Sequence, residues 1–489
     1  MKATMDSRLF EGGDKIPQVK PGAAACAVLL LGLPAGACLF AAGFSPRGAL
    51  LTALCLVILG PLAVRLVQPG ADVFEPIVAA NVAFAVMFIA RPVADLAEGS
   101  LFHLGYDFSP TFDRALGVAL AGTAAFQAGY FCVAARRLAE FLPKPAPELE
   151  CGMERKVAVV TAIAGVALFA GFLAQSGGTA ILFALLQGRQ AADNALFLGS
   201  TAYLYFGLFA LVPASVLFLA AGMRRRAPMS LAVAAGAAGI VLLYGLARGD
   251  RSGVLPLLAV PIFWYLTKGR RPGTASLVMV AVTALMASGL VRDARTVALR
   301  GSAAGTLRAA VADPASEITN LLRGADTEMF DALATELLIV PETLPFRPGG
   351  SVTDLGIRAV PRLLWREKPL EVNDAVVQAL WPAHYRQSRA APAFSVLGPF
   401  YGDSGWLGVV AGMTLLGTAT GALRHWYLRH AASVPAQICY ALALPLVVLL
   451  LRGTVPDTLG HALFIVVPAV AVTLGGGAGK RAAEPGHAR

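Results

Sequence analysis

The chain has 489 residues, of which 57% are hydrophobic and only 14% charged, and its formal net charge is +10. A soluble domain usually carries about 25% charged residues, so this composition excludes an ordinary soluble protein. The six cysteines form no C-x-x-C pair and most lie in apolar runs, so neither a disulfide framework nor a zinc site is indicated. Most short basic clusters lie at the ends of apolar runs, which is typical of membrane anchoring and not of nucleic-acid binding.

Apolar runs long enough to cross a bilayer follow a polar N-terminal tail, and they predict an all-α polytopic membrane bundle of about 12 spans. The first run is interpreted as a retained span, because no clear small-residue cleavage site follows it. The predicted spans lie near 23–43, 48–67, 74–91, 114–135, 156–175, 199–221, 229–247, 252–267, 274–291, 404–423, 434–451 and 458–474.

A single long polar segment at 292–403 divides this bundle into nine spans within 23–291 and three spans within 404–474. Lys and Arg are concentrated in alternate short loops, which places the tails 1–22 and 475–489 in the cytoplasm. The segment 292–403 then forms a large external loop, since long loops cross the membrane largely regardless of their charge.

The external loop is close to neutral, and its local signals predict short helices across the outer mouth of the bundle. Asp313-Pro314 and Asn373-Asp374 are typical helix starts. The stretch from Pro345 to Gly350 predicts a turn.

Arginine dominates this loop, in which Lys368 is the one lysine. A guanidinium group makes bidentate contacts to phosphate oxygens and keeps its charge, so these residues are candidates for holding a diphosphate. Arg358 and Arg362 are four residues apart and would share one face of a helical turn, although Pro361 disfavours a regular helix there. Interfacial anchoring and ordinary solvation remain alternative explanations for each arginine. The candidate cations are Arg189, Arg248, Arg251, Arg358, Arg362, Lys368 and Arg386.

Candidate proton acceptors lie in the same loop. His384 is its only histidine, although a lone loop histidine is usually a surface residue. Glu328, Asp331 and Glu336 lie on a segment that could dip into the outer leaflet, where paired or solvated acids are the alternative. The chain has no P-loop, no G-x-S-x-G and no H-E-x-x-H motif, so an ATP-driven pump, a serine hydrolase and a zinc protease are not indicated. We predict no metal and no cofactor.

Three local patterns carry a family resemblance. They are Pro361-Arg362-Leu-Leu-Trp365-Arg-Glu-Lys368-Pro369, then Ser395-Val-Leu-Gly398-Pro-Phe-Tyr401-Gly-Asp-Ser-Gly405-Trp-Leu-Gly408, and Gly-Asp-Arg251-Ser-Gly preceded by Gly177-Gly178 and Arg189. Together with the topology, they resemble the bacterial O-antigen or oligosaccharide repeat-unit polymerases (Wzy-type). Each pattern is degenerate, and their order and placement over about 176–423 matter more than any single one.

The resemblance implies a glycosyltransferase of the bacterial cytoplasmic membrane that polymerises repeat units into a surface polysaccharide such as O-antigen, capsule or exopolysaccharide. A glycan on undecaprenyl diphosphate would be the donor and a second lipid-linked oligosaccharide the acceptor, with a chain-length regulator as a further partner. An acceptor hydroxyl would attack the anomeric carbon as the diphosphate leaves. The expected catalytic residues are Arg251, Arg358, Arg362, Glu336 and His384. The expected substrate-binding residues are Arg189, Arg248, Lys368, Arg386 and Tyr401.

Three alternatives remain open. The related O-antigen ligases usually have histidine where this chain has Ser395, which favours polymerase over ligase. A flippase or transporter of lipid-linked glycans would suit the number of spans, although transporters usually place binding groups at the membrane midplane. A metal-dependent lipid-donor glycosyltransferase would use the acids of an earlier outer loop, namely Asp95, Glu98, Asp107 and Asp113.

Overall fold

In the residues that it describes, the computed structural model of the chain consists mainly of α-helices, with one short hairpin. It describes residues 45–67, 72–146, 152–181, 202–248, 251–268, 327–360, 369–388 and 394–475, with isolated positions between 31 and 43 and at 365 and 367.

The first half of the described chain contains eight helices and the hairpin. They are α1 (Pro46–Val67), α2 (Pro76–Glu98, with a π-helical turn at Val86–Ala90), the strands β1 (Phe102–His103) and β2 (Tyr106–Asp107), α3 (Phe112–Phe131), α4 (Val133–Phe141), α5 (Met153–Ser176), α6 (Tyr203–Arg225, with a 3-10 turn at Phe206–Ala210), α7 (Pro228–Arg248) and α8 (Leu255–Lys268, after a 3-10 turn at Arg251–Val254). The two strands pair antiparallel, with Phe102 opposite Asp107.

The second half contains five short helices of the large loop and then three long ones. They are α9 (Met329–Glu336), α10 (Gly350–Ala359), α11 (Val372–Leu380), α12 (Pro382–Ser388), α13 (Leu397–Ser404), α14 (Trp406–Arg429), α15 (Val434–Arg452) and α16 (Val455–Gly475). The predicted helix near Asn373 and the predicted turn before Gly350 are therefore confirmed. The helix predicted at Asp313-Pro314 lies outside the described residues.

Seven of these helices are long and apolar enough to cross a membrane, namely α1, α2, α5, α6, α7, α14 and α15, and the bent pair α3–α4 makes up to eight. The regions of α8 and α16 contain shorter apolar helices. The chain is thus an all-α, multi-pass membrane bundle, as its composition predicted. The predicted span 274–291 and most of 23–43 lie outside the described residues, so the count of 12 stays a prediction.

The span predicted at 114–135 does not run straight through. Helix α3 ends at Phe131, Cys132 is extended, and α4 continues at an angle of 58°. Helix α4 buries Ala135 against the bundle and exposes Phe141 and Arg136 on other faces. A short helix with one face packed on protein and with apolar and charged residues on its exposed faces is typical of a segment that lies in the membrane interface. Such a position explains why the chain bends between α3 and α4.

Close glycine contacts bring α3 and α14 together. A Cβ atom at Gly129 would overlap the Thr414 carbonyl oxygen, and one at Gly417 would overlap that of Phe126. Lipid tails are as apolar as leucine, so membrane helices associate largely through such close packing.

Ionisable residues lie at the two ends of this helix pair. At one end, Arg47 pairs with Asp113 at 2.6 Å. At the other end, Tyr130 donates to Glu75 at 3.0 Å. With a rise of about 1.5 Å per residue, α3 separates Asp113 from Tyr130 by roughly 25 Å. The Asp113 end is the one that the large loop covers, and it is called the outer end below, after the predicted topology.

Candidate functional site

A helix from the large loop lies inside the outer end of the bundle. All eight residues of α9 are buried, and Phe330 packs edge-on against Phe112 of α3 at 5.2 Å. Helix α9 contacts α2, α3, the hairpin and α13. The segment predicted to dip into the outer leaflet is therefore enclosed by protein on the sides that these elements cover.

An ion pair and a hydrogen bond fix α9 to the spans. Arg91 of α2 donates through Nη2 and Nε to one oxygen of the fully buried Asp331, at 2.5 and 2.9 Å, and lies 3.2 Å from Asp95. Thr111 donates to the Ala334 carbonyl at 2.6 Å. Breaking a buried ion pair costs several kcal/mol, roughly 3–5, so this anchor holds the position of α9 firmly.

Glu336, the last residue of α9, is the most unusual ionisable group at this end. Its side chain is fully buried, and neither carboxyl oxygen has a hydrogen-bond partner among the described residues. Burial raises the pKa of Glu336 to about 8. The carboxyl group is therefore mainly protonated at neutral pH, because burial removes water and no hydrogen-bond donor among the described residues replaces it.

Two glycines of α13 make room for this carboxyl. A Cβ atom at Gly398 would lie 2.5 Å from Oε2 of Glu336, and one at Gly402 would lie 3.5 Å from Oε1. The two glycines are four residues apart and share one face of the helix. Any larger residue at Gly398 would displace Glu336, so the space for the carboxyl depends on the glycines of α13 as well as on the position of α9.

Tyr401 lies beside this pocket and contacts an arginine. It is 1% exposed, and Nη2 of Arg114, in the first turn of α3, donates to its hydroxyl. The guanidinium carbon also lies 5.4 Å from the centre of the ring, and Phe346 packs edge-on at 5.9 Å. Burial raises the pKa of Tyr401, Arg114 lowers it, and Glu336 raises it, so Tyr401 lies within electrostatic reach of both groups.

Carboxylates of the loop hold its helices against α13. Asp403 accepts from the Ser351 backbone N–H at 2.8 Å, and Asp354 accepts from the Val372 N–H at 2.7 Å, so each caps the first turn of a loop helix. Burial raises the pKa of Asp354 to about 6, while the bond from Val372 opposes this rise. Arg347 donates to the Leu370 carbonyl at 3.0 Å and connects the same elements.

Of the predicted site residues, the structure brings Glu336 and Tyr401 together. Arg386 is exposed on α12. The backbones of Arg248, Arg251, Arg358 and His384 lie in helical segments, but their side chains are outside the description, as are Arg189, Arg362 and Lys368 altogether. The arginine cradle therefore stays a prediction.

The shared helical face proposed for Arg358 and Arg362 stays a prediction, because Arg362 lies outside the described residues. Helix α10 ends at Ala359, and Val360 is extended. The ring of Pro361 disfavours a helical conformation at the preceding residue, which explains where the helix ends.

Sequence reasoning missed Arg114 and the two glycines. Arg114 begins a predicted span, and a charged residue at such a position is easily interpreted as a membrane anchor. Gly398 and Gly402 lie in the 395–408 pattern, but the space that they leave is for the Glu336 carboxyl, some 60 residues away in sequence. Ser395 is buried and accepts from the Leu397 N–H at 3.3 Å, so it shapes the start of α13.

Three acids of the earlier outer loop each interact with a different residue. Asp95 faces Arg91, Asp107 accepts from Ser109 at 2.9 Å, and Asp113 pairs with Arg47. In the part of the chain that the structure describes, no three His, Cys, Asp or Glu side chains are arranged to hold a metal ion.

No model of a known protein family, no curated protein and no solved structure matches the chain, so its family resemblance rests on the sequence patterns alone.

Proposed function

We propose that the chain is a glycosyltransferase that polymerises lipid-linked oligosaccharide repeat units into a surface polysaccharide. In this proposal it crosses the bacterial cytoplasmic membrane 12 times, with 292–403 on the outer face. The observation that carries the proposal is Glu336, a buried carboxyl without a hydrogen-bond partner among the described residues, from the external loop, at the outer end of a membrane bundle. A lipid-anchored substrate can present its reacting groups at that depth.

Glu336 suits the role of general base in glycosyl transfer. The acceptor hydroxyl gives its proton to the ionised fraction of Glu336, which is the minor form at neutral pH, while its oxygen forms a bond to the anomeric carbon. The bond from that carbon to the diphosphate oxygen breaks, and the diphosphate leaves with the electron pair. A base is most effective when its pKa lies near the working pH, and the pKa of Glu336 is about 8.

Fixed cations would stabilise the other half of this reaction. Negative charge develops on the leaving diphosphate, and charged donors in a site that excludes water stabilise it far more than in solution. Arg114 and the predicted loop arginines supply such cations without a metal ion. The resemblance of 361–369 and 395–408 to the repeat-unit polymerases supports this substrate class.

Deleting the gene tests the reaction type. We expect single repeat units to accumulate on the lipid carrier, with short or no polymer. Full-length polymer retained on its carrier would instead identify a ligase, and units trapped on the cytoplasmic face would identify a flippase.

Complementation of the deletion tests the residue. Glu336→Gln should fail to restore polymer at matched membrane abundance. Glu342→Gln, at an exposed carboxyl six residues further along, should restore it fully. Polymer of normal length from the Glu336 variant would rule out this residue as the base.

A further inference from the structure

Arg114 differs from the other arginines that the structure describes near it. Arg47 pairs with Asp113, and Arg91 pairs with Asp331. Arg114 has no carboxylate partner among the described residues, and its guanidinium group donates to the hydroxyl of Tyr401 and lies over the ring of that residue. Its side chain is half-buried, so its charge is only partly screened by water.

The groups around Arg114 leave this charge uncompensated. Helix α13 presents the phenol of Tyr401, and the loop before α10 presents the ring of Phe346 beyond it. Helix α9 presents Glu336, whose raised pKa of about 8 leaves it mainly uncharged at neutral pH. The neighbouring acid on α3, Asp113, is held by Arg47 at 2.6 Å.

We propose that Arg114 binds the diphosphate of the lipid-linked donor, with Tyr401 holding its guanidinium group in position. A guanidinium group has five N–H donors in a rigid fork, and Tyr401 occupies one of its nitrogens, so donors remain for phosphate oxygens. The first turn of α3 adds the positive end of a 20-residue helix. The identity of the anion rests on the proposed function, whereas the anion site itself does not.

This assignment arranges the two halves of the transfer around Tyr401. The leaving group would lie at Arg114, and the acceptor hydroxyl would approach Glu336 on the neighbouring side of α13. The cation of Arg114 suits a diphosphate, and a carboxyl group whose pKa lies near neutral suits the deprotonation of a sugar hydroxyl. Arg114 is thus a substrate-binding residue that the sequence patterns do not include.

Binding can be measured on the purified full chain in detergent, as the ligand-dependent rise in melting temperature. The probes are farnesyl diphosphate, farnesol as the same tail without phosphate, and inorganic pyrophosphate. We expect farnesyl diphosphate to stabilise the protein and farnesol not to. Arg114→Ala should weaken the apparent affinity by about tenfold to a hundredfold, as expected for a lost charge-assisted contact. Arg114→Lys should restore it only partly, because a point charge does not replace a fork.

Arg429→Ala is the charge-matched control, since it removes an exposed arginine that is already paired, with Glu140 at 3.0 Å, at the other end of the bundle. It should change the affinity less than twofold, and the ligand-free melting temperature of each variant reports whether it has folded. Stabilisation by pyrophosphate as well would assign the site to diphosphate whatever its carrier, and stabilisation by farnesyl diphosphate alone would assign it to a lipid-borne diphosphate. Both results support the site if Arg114→Ala abolishes them.

Unchanged affinity in Arg114→Ala, or an equal loss in Arg429→Ala, would overturn the assignment. Either result leaves the deletion phenotype untouched, so the proposed polymerase could still stand with another diphosphate site. Conversely, a deletion that leaves full-length polymer on its carrier would sink the polymerase but not an anion site at Arg114.

Discussion

Replacing Glu336 with glutamine should change the pH dependence of stability in a way that can be worked out from its burial. The pKa of this carboxyl is about 8 in the folded protein and 4.5 ordinarily. Because the folded pKa is raised, the stabilising contribution of the protonated form is complete below pH 4.5 and is lost as the pH rises through 8. Between pH 5 and pH 8 the wild type should lose about 3 kcal/mol through this group alone.

Glutamine has nearly the same shape and does not titrate. Its buried amide carries a desolvation cost of about 1–3 kcal/mol, but that cost is the same at every pH. The melting temperature of Glu336→Gln minus that of the wild type should therefore rise steadily from pH 5 to pH 8. Other titrating groups contribute to both proteins and cancel in the difference.

The assay is thermal unfolding in detergent at a series of pH values, followed by intrinsic tryptophan fluorescence. The exposed Glu342→Gln is the control, and its difference from the wild type should be nearly flat over this range. A flat difference for Glu336→Gln would show that the carboxyl is solvated or paired in the folded protein. The reasoning that gives this buried carboxyl a pKa near 8 would then be wrong.

Three further outcomes follow from the loop and its contacts. Gly398→Ala should displace the Glu336 carboxyl and abolish polymer formation, because the new Cβ atom would lie 2.5 Å from Oε2 of Glu336. A Cβ atom at Gly356 would meet nothing within 4 Å, so Gly356→Ala should retain full activity in the same complementation assay. The pKa of Asp354 is raised from 3.8 to about 6, so the contribution of this group to loop stability should be complete below pH 3.8 and lost as the pH rises through 6. Limited proteolysis of the loop should therefore be faster at pH 7 than at pH 5, and its rate should depend less on pH in Asp354→Asn. Val352→Cys, 71% exposed on α10, should react with an impermeant thiol reagent in intact cells, and labelling only after lysis would reverse the predicted orientation.

The sequence alone determined the class of this protein and most of its helices. A bilayer offers no partners for backbone N–H and C=O groups, so a long apolar run must form a helix whatever surrounds it. Local rules also predicted the helix near Asn373 and the turn before Gly350, because both depend on neighbouring residues only. The same rules could not predict the turn of the chain at Cys132, which follows from how α4 packs against the bundle.

The tertiary structure decided which of many polar residues form the candidate site. In sequence, Glu336 is one acid among several in a polar loop, and Arg114 is one basic residue at the edge of a span. Burial of α9 in the bundle removes water from Glu336, and the glycines of α13 leave space for its carboxyl without supplying a donor. A pKa and an unpaired charge depend on the atoms within a few ångströms, and those atoms come from segments far apart in the chain.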